Sequence, residues 1–166
     1  MKPIRIGIAG LGTVGVGVLK ILEKNECLLT RKTGRKFEVK AVSARNRTKS
    51  RDIDLNGIQW VENPLGLADL HDIDILVEVI GGSADPSKTL VERALKNGKH
   101  VVTANKALLA THGQALALLA EANNVGLRFE AAVAGGIPII KALTEGLASN
   151  SINRVAGVMN GTCNYI

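Results

Sequence analysis

Ile4-Arg5-Ile6-Gly7-Ile8-Ala9-Gly10-Leu11-Gly12-Thr13-Val14-Gly15 opens the chain and decides how the rest of it is read. The isoleucine-rich run has the pattern of a buried strand. It breaks at Gly10-Leu11-Gly12, after which Val14, Val18 and Ile21/Leu22 recur at helical spacing. Strand, glycine turn and helix form the context in which G-x-G-x-x-G signals dinucleotide binding. Each glycine has its own task. Gly10 permits the tight turn, Gly12 has no side chain to hold a pyrophosphate off the backbone, and Gly15 lets the helix lie close on the strand. The unpaired N–H groups and positive dipole end of that helix then face the phosphates. A strand-to-helix turn with no ligand would share the outline but would not call for all three glycines.

At 166 residues the chain fits one domain with a sizeable core. A hydrophobic content of 46% with only 2% aromatic residues points to a core of Val, Ile, Leu and Ala, which suits a parallel sheet buried on both faces. No apolar run reaches the length of a membrane span, and the opening lacks the features of a signal peptide, so no membrane partner is expected. Cys27 and Cys163 lie far apart without a partner motif and read as reduced thiols in a cytoplasmic protein. Much of the +6 net charge falls between Arg31 and Arg51, where Glu38 is the one acid. A single-strand nucleic-acid binder would need aromatic platforms, and only Phe37 lies among these bases. A local anion site or a solvated face is the expectation, with no nucleic-acid partner.

Along the chain, the first helix is expected from Thr13 toward Lys32, with Gly34 as its stop. Strands follow at Phe37–Ser43, at a short edge segment Ile58–Val61 and at Asp74–Ile80, with a helical turn from Pro64 through Leu70. Pro86 sits where the first residue of a helix belongs, after Asp85 as cap, and Gly98 closes that helix. His100–Thr103, Lys106–Asn123 and Leu127–Ala132 read as strand, helix and strand. Alternating strands and helices imply right-handed crossovers and an α/β doubly wound parallel sheet in the order 3-2-1-4-5-6. After Ala134-Gly135-Gly136-Ile137-Pro138, an amphipathic helix is expected at Ile139–Leu147 and a strand at Ile152–Met159. The apolar, motif-like ending through Ile166 suggests a larger protein cut at this point.

The end of the second strand discriminates between dinucleotides. An acid there binds the ribose 2′-OH of NAD, whereas an arginine suits the 2′-phosphate of NADP. This chain has Ser43-Ala44-Arg45-Asn46-Arg47, and Glu38 lies at the wrong end of the strand. Arg45 therefore supplies a planar cationic fork, with Ser43 as a hydrogen-bond donor beside it and Arg47 or Lys49 in reserve. NADP is preferred and NAD remains open, a solvated basic loop being the alternative. Ligands in such sheets lie outside the carboxyl ends of the strands, where Ile80-Gly81-Gly82-Ser83, Thr103-Ala104-Asn105-Lys106 and Glu130 through Gly136 converge. Lys106 starts a helix, where a cation is disfavoured. Either it moves a proton or orients a carbonyl near the nicotinamide, or it is an ordinary exposed lysine.

These stretches carry a family resemblance. Gly10–Gly15, Val102-Thr103-Ala104-Asn105-Lys106, Phe129-Glu130-Ala131 through Gly135-Gly136-Ile137-Pro138-Ile139-Ile140, and Asn160-Gly161-Thr162-Cys163-Asn164-Tyr165-Ile166 together resemble homoserine dehydrogenase, over its N-terminal portion. The resemblance implies a Rossmann-type NAD(P)-binding domain at residues 1–134 and the start of a dimerisation and substrate region at 135–166. It implies reduction of L-aspartate 4-semialdehyde to L-homoserine with NADPH or NADH, on the route to threonine and methionine, in a homodimer or higher oligomer.

By the same resemblance, Leu11, Thr13 and Val14 would touch the pyrophosphate. Arg45 would read the 2′-phosphate, and Gly81, Gly82, Thr103 and Lys106 would border the nicotinamide. Lys106 would be one of two active-site lysines, the principal proton donor lying beyond Ile166. Backbone oxygens of Glu130, Val133, Gly135 and Ile137 would hold a monovalent cation, usually sodium, although a plain turn also accounts for that stretch. Gly161 and Thr162 would border the substrate pocket. The competing expectations are another reductase of the aspartate pathway on the same scaffold and a non-catalytic NADP sensor module.

Overall fold

The computed structural model describes residues 2–157. A six-stranded parallel sheet is built from β1 (Ile4–Ala9), β2 (Phe37–Ser43), β3 (Gln59–Trp60), β4 (Ile75–Glu78), β5 (His100–Thr103) and β6 (Leu127–Arg128). Its order is β3-β2-β1-β4-β5-β6, as the alternation of strands and helices predicts. β2 and β4 flank β1 on opposite sides, so the chain reverses its direction of winding between β1 and β4. All carboxyl ends share one edge, and the site is built there.

Period-2 alternation sorts the side chains into two layers. Ile6, Ile8, Val42 and Val77 pack with Leu11 and Leu19 on the face covered by α1 (Thr13–Lys24). Ala9, Ala41, Leu76 and Val101 pack on the other face with Leu90, Val91, Ala94 and Leu95 of α3 (Ser87–Lys96) and with Leu108, Leu116 and Ala120 of α4 (Lys106–Ala122).

Several boundaries depart from the sequence expectation for local reasons. The first helix is two: α1 stops at Asn25, and α2 (Glu26–Thr33) restarts after it and ends at Gly34 in the left-handed conformation. None of the α2 residues is buried, because a segment as polar as ECLLTRKT has no apolar stripe to continue along the sheet. Pro86 caps α3 instead of starting it, and the Asp85 carboxylate accepts from the Thr89 N–H at 3.1 Å. β6 ends at Arg128, since Phe129 (φ −145°, ψ 26°) turns the chain out of the sheet into a 3-10 turn at Glu130–Ala132. Residues 152–157 form no strand: all are exposed and none pairs with a neighbouring strand, and residues 158 and 159 of the expected strand lie outside the described residues. The helix expected at Ile139–Leu147 is α5 (Ile139–Lys141), which widens into π-type turns through Gly146. The last buried residue described is Ala132.

At the amino edge of the sheet, Arg5 and Asp74 bind β1 to the start of β4. Arg5 donates from Nε at 3.0 Å, from Nη2 at 2.7 Å and from its backbone N–H at 2.9 Å. The side-chain hydrogen bond from Arg5 is the main cause that lowers the Asp74 pKa to about 2. The folded value lies below the unfolded value of about 3.9, so the pair stabilises the fold fully above about pH 4 and loses that contribution as pH falls through about 2. Asp74→Asn is expected to lower the unfolding free energy at neutral pH by about 1–2 kcal/mol, solvent screening at a partly open site being allowed for. Urea titrations of the two proteins should converge near pH 2; a difference of constant size down to that pH would overturn the assignment.

Candidate functional site

A cleft of about 590 Å³ opens at the carboxyl edge, lined by Gly10-Leu11-Gly12, by Ser43 to Asn46 with Lys49 and Arg51, and by Val79, Ile80 and Pro86. The glycine turn beside it divides its labour. Gly10 has φ +104°, and a Cβ there would lie 2.6 Å from the Val79 carbonyl oxygen. A Cβ on Gly15 would lie 1.9 Å from the Gly10 oxygen, so glycine is required for α1 to pack on the turn. Gly12 differs from both. Its φ of −81° is open to any residue, and a Cβ would meet nothing within 4 Å. Neither backbone nor packing demands glycine at 12, whereas a pyrophosphate laid against the backbone does. No side chain caps the helix that follows, which leaves the N–H groups of its first turn for an anion. The Leu11 side chain is buried in the core, so this residue has only its backbone to offer a ligand; Thr13 and Val14 are exposed on the first turn.

The basic run is not one continuous patch. Lys36 pairs with Glu26 at 2.8 Å, Lys40 with Glu38 at 2.8 Å, and Arg47 approaches Glu62 at 3.8 Å. The hydrogen bond donated by Lys40 lowers the Glu38 pKa, and the one that Lys36 donates to Glu26 raises the Lys36 pKa. Arg45 and Lys49 line the cleft, and among the described residues neither belongs to an ion pair. Ser43 lies beside them, 2% exposed, its carbonyl accepting from the Gly10 N–H at 2.8 Å. Arg51 organises this loop. It donates to the carbonyls of Leu11 (3.1 Å), Lys49 (2.9 Å) and Asn46 (2.7 Å), and its guanidinium lies 5.7 Å from the centre of the Trp60 ring. The loop is thereby tied to the glycine turn, with Arg45 and Lys49 lining the cleft.

The neighbouring strand ends are joined by a carboxylate that the sequence reading passes over. Glu78 ends β4, fully buried, and pairs in register with Thr103 at the end of β5. It accepts from Thr103 Oγ1 (2.7 Å), Ile80 N–H (2.9 Å), Ser87 Oγ (3.1 Å), Gly81 N–H (3.4 Å) and Asn105 Nδ2 (3.4 Å). Asn105 also donates to the Gly82 carbonyl at 2.7 Å while its Oδ1 accepts from the Leu108 N–H and caps α4. Lys106, the next residue, is exposed at the first position of α4. Gly81 and Gly82 (φ +89° and +87°) adopt a backbone that L side chains rarely enter. The Thr103 hydroxyl is buried and donates to Glu78.

At residues 130–137, Ala134 (φ +54°) and Gly135 (φ +62°) form a left-handed turn. The carbonyls of Glu130 and Ile137 accept from Val133 N–H (3.1 Å) and Ile139 N–H (2.8 Å). The Glu130 carboxylate accepts from the N–H groups of Ile140 (3.0 Å) and Lys141 (2.8 Å) at the start of α5. Gly161 and Thr162, the expected substrate neighbours, and Cys163 lie outside the described residues. No described helix is long and apolar enough to cross a membrane.

The sequence reading missed Glu78, Ser87, Asn105 and the bracing role of Arg51. Glu78 had a signal, being the one acid within the apolar run from Ile75 to Ile80, at a position where alternation after Leu76 calls for a core residue. Asn105 had the signature of an N-cap residue before a helical run. Arg51 had none, since its partners are backbone carbonyls whose approach depends on the tertiary fold.

Comparison with known proteins places these features in context. The family model for the homoserine dehydrogenase NAD binding domain matches residues 10–130, and the model for homoserine dehydrogenase matches 138–166. Homoserine dehydrogenases of Neisseria gonorrhoeae and Bacillus subtilis are 48% and 43% identical over the whole chain. The chain spans 38% of the length of each. The crystal structure of a homoserine dehydrogenase from Thiobacillus denitrificans superposes with a TM-score of 0.82 and 49% identity over 89% of this chain and 34% of that one. A hyperthermophilic archaeal homoserine dehydrogenase in complex with NADPH gives 0.69 and 31% over 86% of this chain and 48% of that one.

Proposed function

The chain belongs to the homoserine dehydrogenase family, and from that premise we propose that it is the cofactor-binding part of an enzyme interconverting L-aspartate 4-semialdehyde and L-homoserine. The observation that carries this is Gly12: a glycine that neither its backbone nor its packing needs, beside an uncapped helix start in the cleft. NADP is the proposed cofactor. Its pyrophosphate would lie against Gly10–Gly15, and its 2′-phosphate against Arg45, with Ser43 and Lys49 alongside. The nicotinamide, which exchanges a hydride with the substrate carbon, would reach toward Gly81, Gly82 and Lys106, with Thr103 beneath them as support. Lys106, exposed at the start of α4, would orient the substrate carbonyl or pass a proton to it.

Residues from 135 onward would begin the substrate and dimerisation region of a cytoplasmic homo-oligomer, with Gly161 and Thr162 at the substrate. At the left-handed turn of Ala134 and Gly135, the backbone oxygens of Glu130, Val133, Gly135 and Ile137 would hold a monovalent cation, sodium being the proposed one. The pathway would be that of threonine and methionine.

The test is NADPH formation from L-homoserine by the full gene product, compared with NADH formation from NAD. Turnover with either cofactor supports the activity, and a folded, NADPH-binding protein without turnover overturns it. Arg45→Ala is expected to weaken NADPH binding about 10- to 100-fold, the worth of a charged hydrogen-bonded contact. Its NADH affinity should stay unchanged. Titrating both cofactors by fluorescence checks this, and equal losses for the two would remove Arg45 as the phosphate reader.

A further inference from the structure

We propose that Glu78 is a positioning residue, holding the Ile80–Gly82 and Thr103–Lys106 loops in one fixed register at the nicotinamide end of the site. The inference rests on the cofactor-binding reading of the cleft and extends it to a residue that does not line the cleft.

A carboxylate at 0% exposure is costly, and among the described residues Glu78 forms no ion pair that would offset the cost. The donors around it are all neutral. Two are backbone N–H groups of the Ile80–Gly81 loop, two are side chains of Thr103 and Asn105, and one is the Ser87 hydroxyl of α3. Packing alone would be served better by a leucine, as at Leu76 one pleat earlier on the same face. What leucine cannot do is anchor three segments to one point.

The anchoring is needed where it falls. Gly81 and Gly82 have the widest backbone freedom of any residue, and they stand beside the first turn of α4. Glu78 also settles which way the Asn105 amide points. With Nδ2 drawn to the carboxylate and to the Gly82 carbonyl, Oδ1 is left to accept from Leu108 N–H and cap α4. Lys106 follows directly from that cap. A change at Glu78 is thus transmitted directly to both loops, whereas the basic loop of the adenosine end donates no hydrogen bond to it among the described residues.

The experiment measures NADPH and adenosine 2′,5′-bisphosphate binding to the full gene product and to Glu78→Gln. The bisphosphate carries only the adenosine half. The expected result is NADPH binding weakened by about tenfold, with adenosine-bisphosphate binding within about twofold of wild type. In turnover, kcat should fall on the order of a hundredfold, as for a misplaced reacting group, with the KM for homoserine little changed. Thr103→Val, of equal volume, removes one donor and should repeat the selective loss, and Thr103→Ser should restore binding; this pair carries the test if E78Q fails to fold. Equal weakening of both ligands, or no weakening of either, overturns the positioning role while leaving the cofactor site standing. A wild-type protein that binds neither ligand overturns the cofactor reading itself, and the inference with it.

Discussion

Gly12→Asp is expected to stabilise the fold and to abolish cofactor binding at the same time. The two effects have opposite signs because they act through different partners. Gly12 is the N-cap of α1, in extended geometry (φ −81°, ψ −163°), with no side-chain cap and open space where a Cβ would go. An aspartate there accepts a hydrogen bond from the first-turn N–H groups, complements the helix dipole and restricts the unfolded chain, together worth about 0.5–1 kcal/mol. The same carboxylate occupies the place of the pyrophosphate. Like charges about 4 Å apart repel by about 4 kcal/mol near a protein surface, roughly a thousandfold in affinity. Thermal unfolding and NADPH titration measure the two halves separately. Gly12→Ser, which caps without charge, should keep the stability gain and lose less affinity. A G12D protein that binds NADPH like wild type would remove the pyrophosphate from this turn.

Lys106→Ala should lower kcat for homoserine oxidation in the full gene product by about 10²- to 10⁴-fold, the range for a group that handles a proton in the transition state. The fold should not suffer. Lys106 is exposed at the first position of α4, where a cation opposes the helix dipole, and alanine is the better helix former. NADPH affinity should change by much less than kcat, which separates this variant from those of the glycine turn. Retention of wild-type kcat would make Lys106 an ordinary exposed lysine and return the proton chemistry entirely to other groups.

Local chemistry made the frame of the molecule legible. A glycine turn between an apolar run and a helical stripe can be read without tertiary knowledge, because each part obeys a short-range rule. Strand pairs and their order followed from alternation and handed crossovers. Boundaries were less legible where a side chain or turn competes with the regular element, as at Asn25 and Phe129. The segment from Ile152 showed the limit of strand propensity, since residues 152–157 stay exposed and unpaired, and an unpaired run makes no ladder. The site divided along the same line: Gly10, Gly12, Gly15 and Arg45 stood in recognisable patterns, whereas Arg51 was one base among many until its three carbonyl partners were in place.

The sequence by itself determined the doubly wound sheet, the place of its glycine turn and the family to which the chain belongs, because motifs and periodicity are properties of neighbours along the chain. Only the tertiary structure decided that Gly12 is free of any packing constraint, that Arg45 and Lys49 face the cleft while Lys36 and Lys40 are paired with acids, and that Glu78 binds two loops together. Those facts depend on which groups from distant segments come within hydrogen-bond reach. Glu78 and Thr103 are 25 positions apart and meet at 2.7 Å only because β4 and β5 lie side by side.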